Sequence, residues 1–371
     1  GYKVDDIAQS ILRIINDDTL YKRLSIDAYD FAQSATWKQK ASQFAEITRK
    51  KTKQKDSIFT TNIAATLNAN KSQKRLHITI DFEEMFDWSD LNKDIATVQG
   101  INELRVFHNT CLSHNIQPAY LVTYNVLQSD AAVKFLNDIY TGNHEIGIHL
   151  HAWNSPPYIE QVNSFNSYQC NLPNYLEKLK IETLITLFEQ KLGFTPLIHR
   201  AGRYGCSQQT LDLLKAHNIK IDLSPSAGYN FNEQGGPDFR AITNTPFWSD
   251  TDKALLCLPI PSIHFLKGPD ALTMLYKKNP LLHRCYKALL PSTPVRLSPE
   301  DNSLERMKLI GTLLNEQGVN DFMLSVHSTS LYTGGNEYAR TKEDAQNNID
   351  KIIKYVLWSH ETLKTYSAPL M

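Results

Sequence analysis

Residues 76–88 read LHITIDFEEMFDW, an apolar segment that ends in closely spaced carboxylates. The alternation of apolar residues with Thr79 predicts a buried strand. If Asp81, Glu83 and Glu84 are buried, they need a cation, a proton or an arginine nearby, because an uncompensated buried charge is costly. In a strand Asp81 and Glu83 point to the same face, at the carboxyl end where α/β folds bind their ligands. The alternative is a strand followed by a solvated acidic turn, and this segment alone leaves both open.

The composition indicates a globular protein without a strong electrostatic preference for its partners. The 371 residues are 42% hydrophobic, which is enough for two or three domains or for a barrel with an appendage. Lys+Arg and Asp+Glu both number 39, so no net charge favours nucleic acid or an anionic membrane as the partner. The five cysteines form no CxxC pair, which argues against a disulfide framework and favours a reducing, cytoplasmic location. No apolar run reaches the roughly 18 residues of a transmembrane segment.

The chain is predicted to contain three regions. Residues 1–48 show helical periodicity, residues 49–75 are polar and aperiodic and predict a linker, and residues 76–371 predict the main domain. In the first region, DDIAQSILRIINDDTLYKRLS followed by AYDFAQSATWKQKASQFAEI resembles the closing helices of GT-B glycosyltransferases. An ordinary amphipathic helical pair is the alternative. The resemblance implies fusion to an upstream glycosyltransferase domain.

Strand-like and helix-like segments alternate from residue 76 onward. This alternation predicts parallel strands joined by helical crossovers, and therefore an α/β barrel or a doubly wound sheet. Seven strands favour a barrel one unit short of eight. The strand candidates are 76–82, 117–123, 144–150, 196–200, 218–223, 254–260 and 321–327, and the helix candidates are 99–115, 129–138, 175–192, 207–217, 301–317 and 341–361.

Polar residues occur at the carboxyl ends of five predicted strands, where the chemistry of α/β barrels is found. Each of them alone is weak support for a site, but five on one rim point to a shared site. Two histidines on one face together with a carboxylate match the donors of a catalytic zinc or similar divalent site. The residues at these strand ends are Asp81 and Glu83, His149 and His151, Arg200, Asp222, and His327.

The order of these motifs resembles the polysaccharide deacetylase superfamily (NodB-type, carbohydrate esterase 4), in particular its divergent members from surface-polysaccharide gene clusters. TIDFEE, HEIGIHLH, HRAGRYG, IDLSPS and LSVHS stand in the places of the five family motifs. The resemblance implies a distorted (β/α)7 barrel of NodB type over residues 76–371, with the helical segment as an N-terminal appendage. It also implies metal-dependent hydrolysis of an N-acetyl amide on a sugar or polysaccharide during surface-polysaccharide biosynthesis.

The resemblance further implies a role for each matching residue. The cofactor would be a divalent metal, with zinc as the first expectation. The implied roles are Asp81 as general base, Glu83, His149 and His151 as metal ligands, Arg200 as the partner that keeps Asp81 ionised, His327 as general acid, and Asp222 as the residue that orients His327.

Three departures from the family pattern leave alternatives open, and one of them is Gly202 in place of the proline of the arginine motif. Phe82 and Glu83 replace the second aspartate of the first motif, so the carboxylate ligand is longer or one position later. The family's second histidine stands four residues after the first. Here the first is His149, the position four residues later is Trp153, and His151 is the substitute for the missing second histidine. The alternatives are a metal-independent hydrolase of a small non-peptide amide and a non-catalytic carbohydrate-binding module on the same fold.

Several further residues follow predicted strand ends and are candidates for binding the substrate. Sugars present flat apolar faces that stack on aromatic rings, although core packing explains each aromatic residue equally well. These candidates are Tyr124, Trp153, Tyr204, Trp248 and His264.

Overall fold

The computed structural model describes Asp17 and residues 73–86, 91, 97–142, 145–266, 270 and 292–370. The chain divides into two compact units, Gly1–Ser57 and Ile58–Met371. Apart from Asp17, the helical segment predicted for residues 1–48 lies outside the described residues, as does nearly all of the linker predicted for 49–75. The first described strand begins at Lys74, two residues before the domain boundary expected at residue 76.

The described part of the chain contains a large, mostly parallel sheet, and the predicted α/β fold is confirmed. The described strands are β1 (Lys74–Phe82), β2 (Pro118–Val122), β3 (Ile146–Leu150), β4 (Ile198–Ala201), β5 (Ile221–Asp222), β6 (Phe247–Trp248), β7 (Leu256–Cys257), β8 (Ser262–Leu266), β9 (Ser292–Arg296), β10 (Asp321–His327) and β11 (Thr365–Ser367). The seven predicted strands correspond to β1–β5, β7 and β10, which pair in parallel in the order β10-β1-β2-β3-β4-β5-β7. This order is that of a seven-stranded barrel that is open between β7 and β10.

Helices cross over between the parallel strands, as the alternation of segments predicts. The described helices are α1 (Ile101–Ser113), α2 (Tyr124–Gln128), α3 (Asp130–Ile139), α4 (Asn174–Leu192), α5 (Gln208–Ala216), α6 (Leu304–Glu316) and α7 (Lys342–Thr362). All of them except the short α2 were predicted. Ser129, Ser207, Ser303 and Thr341 begin α3, α5, α6 and α7, and each hydroxyl accepts a backbone N–H of the first turn, which explains where these helices start. No described helix is long and apolar enough to cross a membrane.

The two faces of β1 explain how the fold forms a polar site next to an apolar core. Leu76, Ile78, Ile80 and Phe82 are buried in the main hydrophobic core, which also contains α1 and α3. The alternate residues His77, Thr79 and Asp81 are also buried, on the opposite face. Because strands of a parallel sheet are covered on both faces, such a polar row must find partners inside the protein.

Four of the described strands were not predicted. β6 and β11 contain only two and three residues, and no periodic pattern marks them in the sequence. β8 and β9 form a separate antiparallel pair, with Ser262 opposite Arg296. Pro294 in the middle of β9 disguised that strand, because proline is confined to the edges of sheets. This pair places Arg296 near the carboxyl ends of the barrel strands.

Candidate active site

A cavity of about 240 Å³ lies at the carboxyl ends of the parallel strands. It combines charged residues from the strand ends with aromatic and basic residues from the loops. Its lining residues are Asp81, Glu83, His149, His151, Tyr168, Ala201, Arg203, Tyr204, Phe231, Gln234, Arg296 and His327. We call Asp81, Glu83, His149, His151, Arg200 and His327 the central cluster.

Asp81 is held by a buried arginine from a non-adjacent strand. Arg200 Nη1 donates to Asp81 Oδ1 at 2.5 Å, and Arg200 Nη2 donates to Thr79 Oγ1 at 2.9 Å. The Arg200 side chain is fully buried. Burial alone would raise the pKa of Asp81, but the positive charge of Arg200, with smaller contributions from His149 and His327, lowers it to about 2. Asp81 is therefore ionised at neutral pH.

Glu83, His149 and His151 form a group of potential metal ligands. One ligand atom from each of the three buried side chains lies within 4.8 Å of the other two. The Glu83 carboxylate is 3.3 Å from His151 Nε2 and 3.9 Å from His149 Nε2. Two imidazole nitrogens and a carboxylate oxygen are the donors of a three-ligand catalytic zinc site, which leaves further coordination positions free.

The orientation of both histidine rings also fits metal binding. His149 Nδ1 lies 2.9 Å from the carbonyl oxygen of Arg200, so Nδ1 carries the proton and Nε2 offers a lone pair. Burial lowers the pKa of His149 to about 3, which keeps the ring neutral. His151 Nδ1 lies 3.2 Å from Glu84 Oε1, which directs its Nε2 toward Glu83. Such outer partners are typical of metal-bound histidines, and the donor set fits a divalent cation.

Glu84 is a supporting residue to which the sequence analysis assigned no role. Its Oε1 accepts hydrogen bonds from His151 and from Asn154, and its Oε2 accepts one from Thr123 Oγ1 at 2.5 Å. Burial would raise the pKa of Glu84, but the hydrogen bond and charge of His151 lower it to about 2. Burial alone would lower the pKa of His151, but Glu83 and Glu84 raise it to about 9. Burial raises the pKa of Glu83 above its ordinary value.

His327 ends β10, next to Asp81 in the register of β1 and β10. Its Nδ1 lies 3.0 Å from Glu300 Oε1 and 3.1 Å from Oε2. Burial would lower the pKa of His327, but the negative charge of Glu300, followed by that of Glu83, raises it to about 10. The environments of Asp81 and His327 therefore move their pKa values in opposite directions, which is the arrangement of a base and an acid.

The expectation that Asp222 orients His327 is wrong. The Asp222 carboxylate accepts from Ser224 Oγ at 2.6 Å and pairs with His199 Nδ1 at 2.7 Å. Glu300 takes the expected role, because it precedes α6 in a loop that folds against the end of β10. A rule based on strand ends cannot find such a residue.

The predicted substrate-binding residues divide into those inside and those outside the cavity. Tyr204 lines it, whereas the other four residues are absent from its lining. Trp153 is buried and stacks on the His151 ring with centroids 4.3 Å apart. Tyr124 packs against the main core, Trp248 belongs to β6 at one end of the sheet, and His264 is exposed on β8. The structure therefore places these four residues outside the cavity lining, in the core or at its periphery, and not where they were expected to contact a substrate.

The loop after β4 carries two of the lining residues in a strained conformation. Arg203 and Tyr204 have φ angles of 52° and 60°, in the left-handed region that costs a non-glycine residue about 1–2 kcal/mol. Before them, a Cβ on Gly202 would lie 2.7 Å from the Leu150 carbonyl oxygen, so only glycine fits. The loop places the Arg203 guanidinium 4.2 Å from the centre of the Tyr168 ring.

The chain is similar to several solved structures. A Mycobacterium smegmatis protein assigned as a polysaccharide deacetylase is 14% identical, with a TM-score of 0.47 over 80% of this chain and 88% of that protein. A Parabacteroides distasonis protein assigned as a glycoside hydrolase or deacetylase is 10% identical, with a TM-score of 0.47 over 80% and 69%. PuuE allantoinase is 12% identical, with a TM-score of 0.45 over 81% and 89%.

Comparison of the sequence alone finds no family profile that matches the chain and no curated protein that matches it.

Proposed function

We propose that this protein hydrolyses an N-acetyl amide on a sugar, with a divalent metal held by Glu83, His149 and His151. The observation that carries the proposal is the joint placement, in one cavity, of an ionised Asp81, the three potential metal ligands, and a protonated His327. A structural role alone does not require an acid and a base to be held at opposite protonation states next to such a ligand set.

The chemistry assigns a separate proton transfer to each of two residues. Asp81, fixed by Arg200, accepts a proton from the attacking water as the carbon–oxygen bond forms. His327, kept protonated by Glu300, donates a proton to the amide nitrogen as the carbon–nitrogen bond breaks. The products are acetate and a free amino sugar. Without protonation of the nitrogen the amine would be a poor leaving group.

The metal would act on the acetyl group. A divalent ion bound by one carboxylate and two imidazoles, with zinc as the first candidate, supplies Lewis-acid polarisation of the acetyl carbonyl. Glu84 supports the site by holding His151 in the orientation that directs Nε2 into it. Tyr204 and Phe231 line the cavity and give it an apolar, aromatic surface against which a sugar ring can pack. The resemblance of the motifs to deacetylases from surface-polysaccharide clusters supports a role in glycan synthesis.

The test is acetate release from a panel of N-acetylated sugars by the native protein and by Asp81→Asn. We expect kcat to fall by about 10²- to 10⁴-fold in the variant, the usual contribution of a general base. Asp238→Asn is the matched control, because Asp238 pairs with the exposed Arg240 and does not line the cavity. Circular dichroism verifies that both variants are folded.

Full activity of Asp81→Asn would refute the proposed base. His327→Gln gives a second measurement that leaves the Asp81–Arg200 pair intact, and a large loss of kcat is expected there as well. If the native protein binds the sugars but releases no acetate, the carbohydrate-binding module is favoured. If it cleaves only small non-sugar amides, the metal-independent hydrolase is favoured.

A further inference from the structure

One wall of the cavity is basic and aromatic, in contrast to the central cluster. We call it the arginine face and define it by Tyr168, Arg203, Tyr204, Phe231, Gln234 and Arg296. Arg296 comes from β9, and the other five residues come from the segments that connect the strands, with Arg203 and Tyr204 directly after β4. None of the roles in the proposed hydrolysis uses the two arginines.

Arg296 is fixed in place by a tyrosine. Its Nη1 donates a hydrogen bond to the Tyr204 hydroxyl at 2.5 Å, and its guanidinium lies 5.3 Å from the centre of the Tyr204 ring. Among the described residues no carboxylate lies within ion-pair distance of Arg296. Glu300 and Asp81 act on its charge only at longer range, and each of them has a closer cationic partner. The side chain is thus positioned by a neutral partner and keeps its charge toward the cavity.

The nearby carboxylates already have partners of their own. Asp81 pairs with Arg200 at 2.5 Å and Glu300 with His327 at 3.0 Å, and Glu84 accepts a hydrogen bond from the proposed metal ligand His151 at 3.2 Å. Glu83 is the carboxylate assigned to the metal. The positive charge of Arg296 therefore remains in excess over the carboxylates around the cavity.

Arg203 adds a second positive charge to the same wall. It stacks on Tyr168 and donates to Gln234 Oε1 at 2.6 Å and to Ser167 Oγ. The strained backbone at Arg203 and Tyr204 is what directs both side chains into the cavity lining. Backbone strain of this kind is typically retained where it positions functional groups.

We propose that the substrate carries an anionic group, a carboxylate or a phosphate, which Arg296 binds while the N-acetyl group lies at the central cluster. This inference rests on the proposed function and specifies its substrate class. A neutral sugar would need only the aromatic residues, and would leave Arg296 without an ion-pair contact in a concave site. The planar guanidinium matches the oxygens of a carboxylate or phosphate, with which it forms strong charge-assisted hydrogen bonds.

The experiment compares ligands that differ in charge but share the acetamido sugar. Native protein is titrated by calorimetry with N-acetylglucosamine, with its 6-carboxylate, and with its 6-phosphate. We expect at least one charged ligand to bind about tenfold or more tightly than the neutral one, as expected for one charge-assisted contact. The 6-carboxylate and the 6-phosphate distinguish the two sources of the anion.

Three variants assign the preference to the residue. Arg296→Gln is expected to abolish the preference for the charged ligand, and Arg296→Lys to retain part of it. Arg240→Gln is the matched control, because Arg240 is an exposed arginine paired with Asp238. Equal binding of neutral and charged ligands by the native protein, or a preference that survives in Arg296→Gln, would overturn the inference.

Acetate release in the same samples separates this inference from the proposed function. Binding of charged ligands that depends on Arg296 without acetate release supports the anionic ligand and contradicts the hydrolase. Equal cleavage of neutral and charged sugars, with no effect of Arg296→Gln on KM, supports the hydrolase and contradicts the anionic substrate.

Discussion

The central cluster and the arginine face lie at the same cavity, but they differ in how their charges are balanced. In the central cluster Arg200 is fully buried and pairs with Asp81 at 2.5 Å, and His327 pairs with Glu300 at 3.0 Å. On the arginine face, Arg296 contacts the neutral hydroxyl of Tyr204. Charges that the chain balances itself contribute to the folded structure, whereas a charge that the chain leaves unbalanced is available to a ligand.

This comparison predicts a large difference in stability between substitutions of the two arginines. Arg200→Gln leaves the buried Asp81 carboxylate without its cation, and removing one partner of a buried pair typically costs about 3–5 kcal/mol. We expect the free energy of unfolding, measured by urea denaturation, to fall by about that amount.

Arg296→Gln serves as the contrast in the same measurement. It removes one hydrogen bond to Tyr204 and no ion pair among the described residues, so the expected loss is about 1 kcal/mol. Equal losses in the two variants would contradict the distinction between balanced and unbalanced charges.

Glu300→Gln keeps the shape of the side chain but removes the negative charge next to His327. We expect its effect to be smaller than that of Arg200→Gln. Burial would lower the pKa of His327, and Glu300 is the main reason that it lies near 10. Without that negative charge the pKa falls, so His327 loses its proton at lower pH. We expect the alkaline limb of the pH profile of kcat/KM to shift to lower pH, and kcat at neutral pH to fall by about 10-fold.

An unchanged alkaline limb in Glu300→Gln would show that His327 is not the group that titrates there. Asp222→Asn provides the comparison, because the Asp222 carboxylate contacts His199 and Ser224 rather than His327. It should leave the alkaline limb in place.

The central cluster could be placed from the sequence because its residues follow a simple rule of parallel sheets. Asp81, His149, Arg200 and His327 lie on four strands that end at the same edge, and His151 follows one of them closely. Strand period and strand order therefore suffice to bring them together. The helix-like sequence pattern located six of the seven helices in the described part of the chain, missing only the five-residue α2.

Apart from Tyr204, the remaining site residues could not be predicted, because they do not lie at the ends of the parallel strands. Glu300 reaches His327 from the segment before α6, and Arg296 reaches the cavity from a strand that contains a proline. Arg203 depends on a left-handed backbone that no hydrophobic pattern encodes. Asp222 shows the limit of the rule, since a residue at a strand end can face a buried histidine instead of the site.

The measurement that tests the central claim most directly is the metal content of the purified protein by elemental mass spectrometry, for the native chain and for His149→Ala. We expect about one equivalent of zinc or a similar divalent ion in the native chain, as three protein ligands bind one catalytic ion. His149→Ala should lose it, and the control His264→Ala, which changes an exposed histidine absent from the cavity lining, should keep it. No bound metal in the native chain after reconstitution, or full metal content in His149→Ala, would contradict the assignment of Glu83, His149 and His151 as ligands.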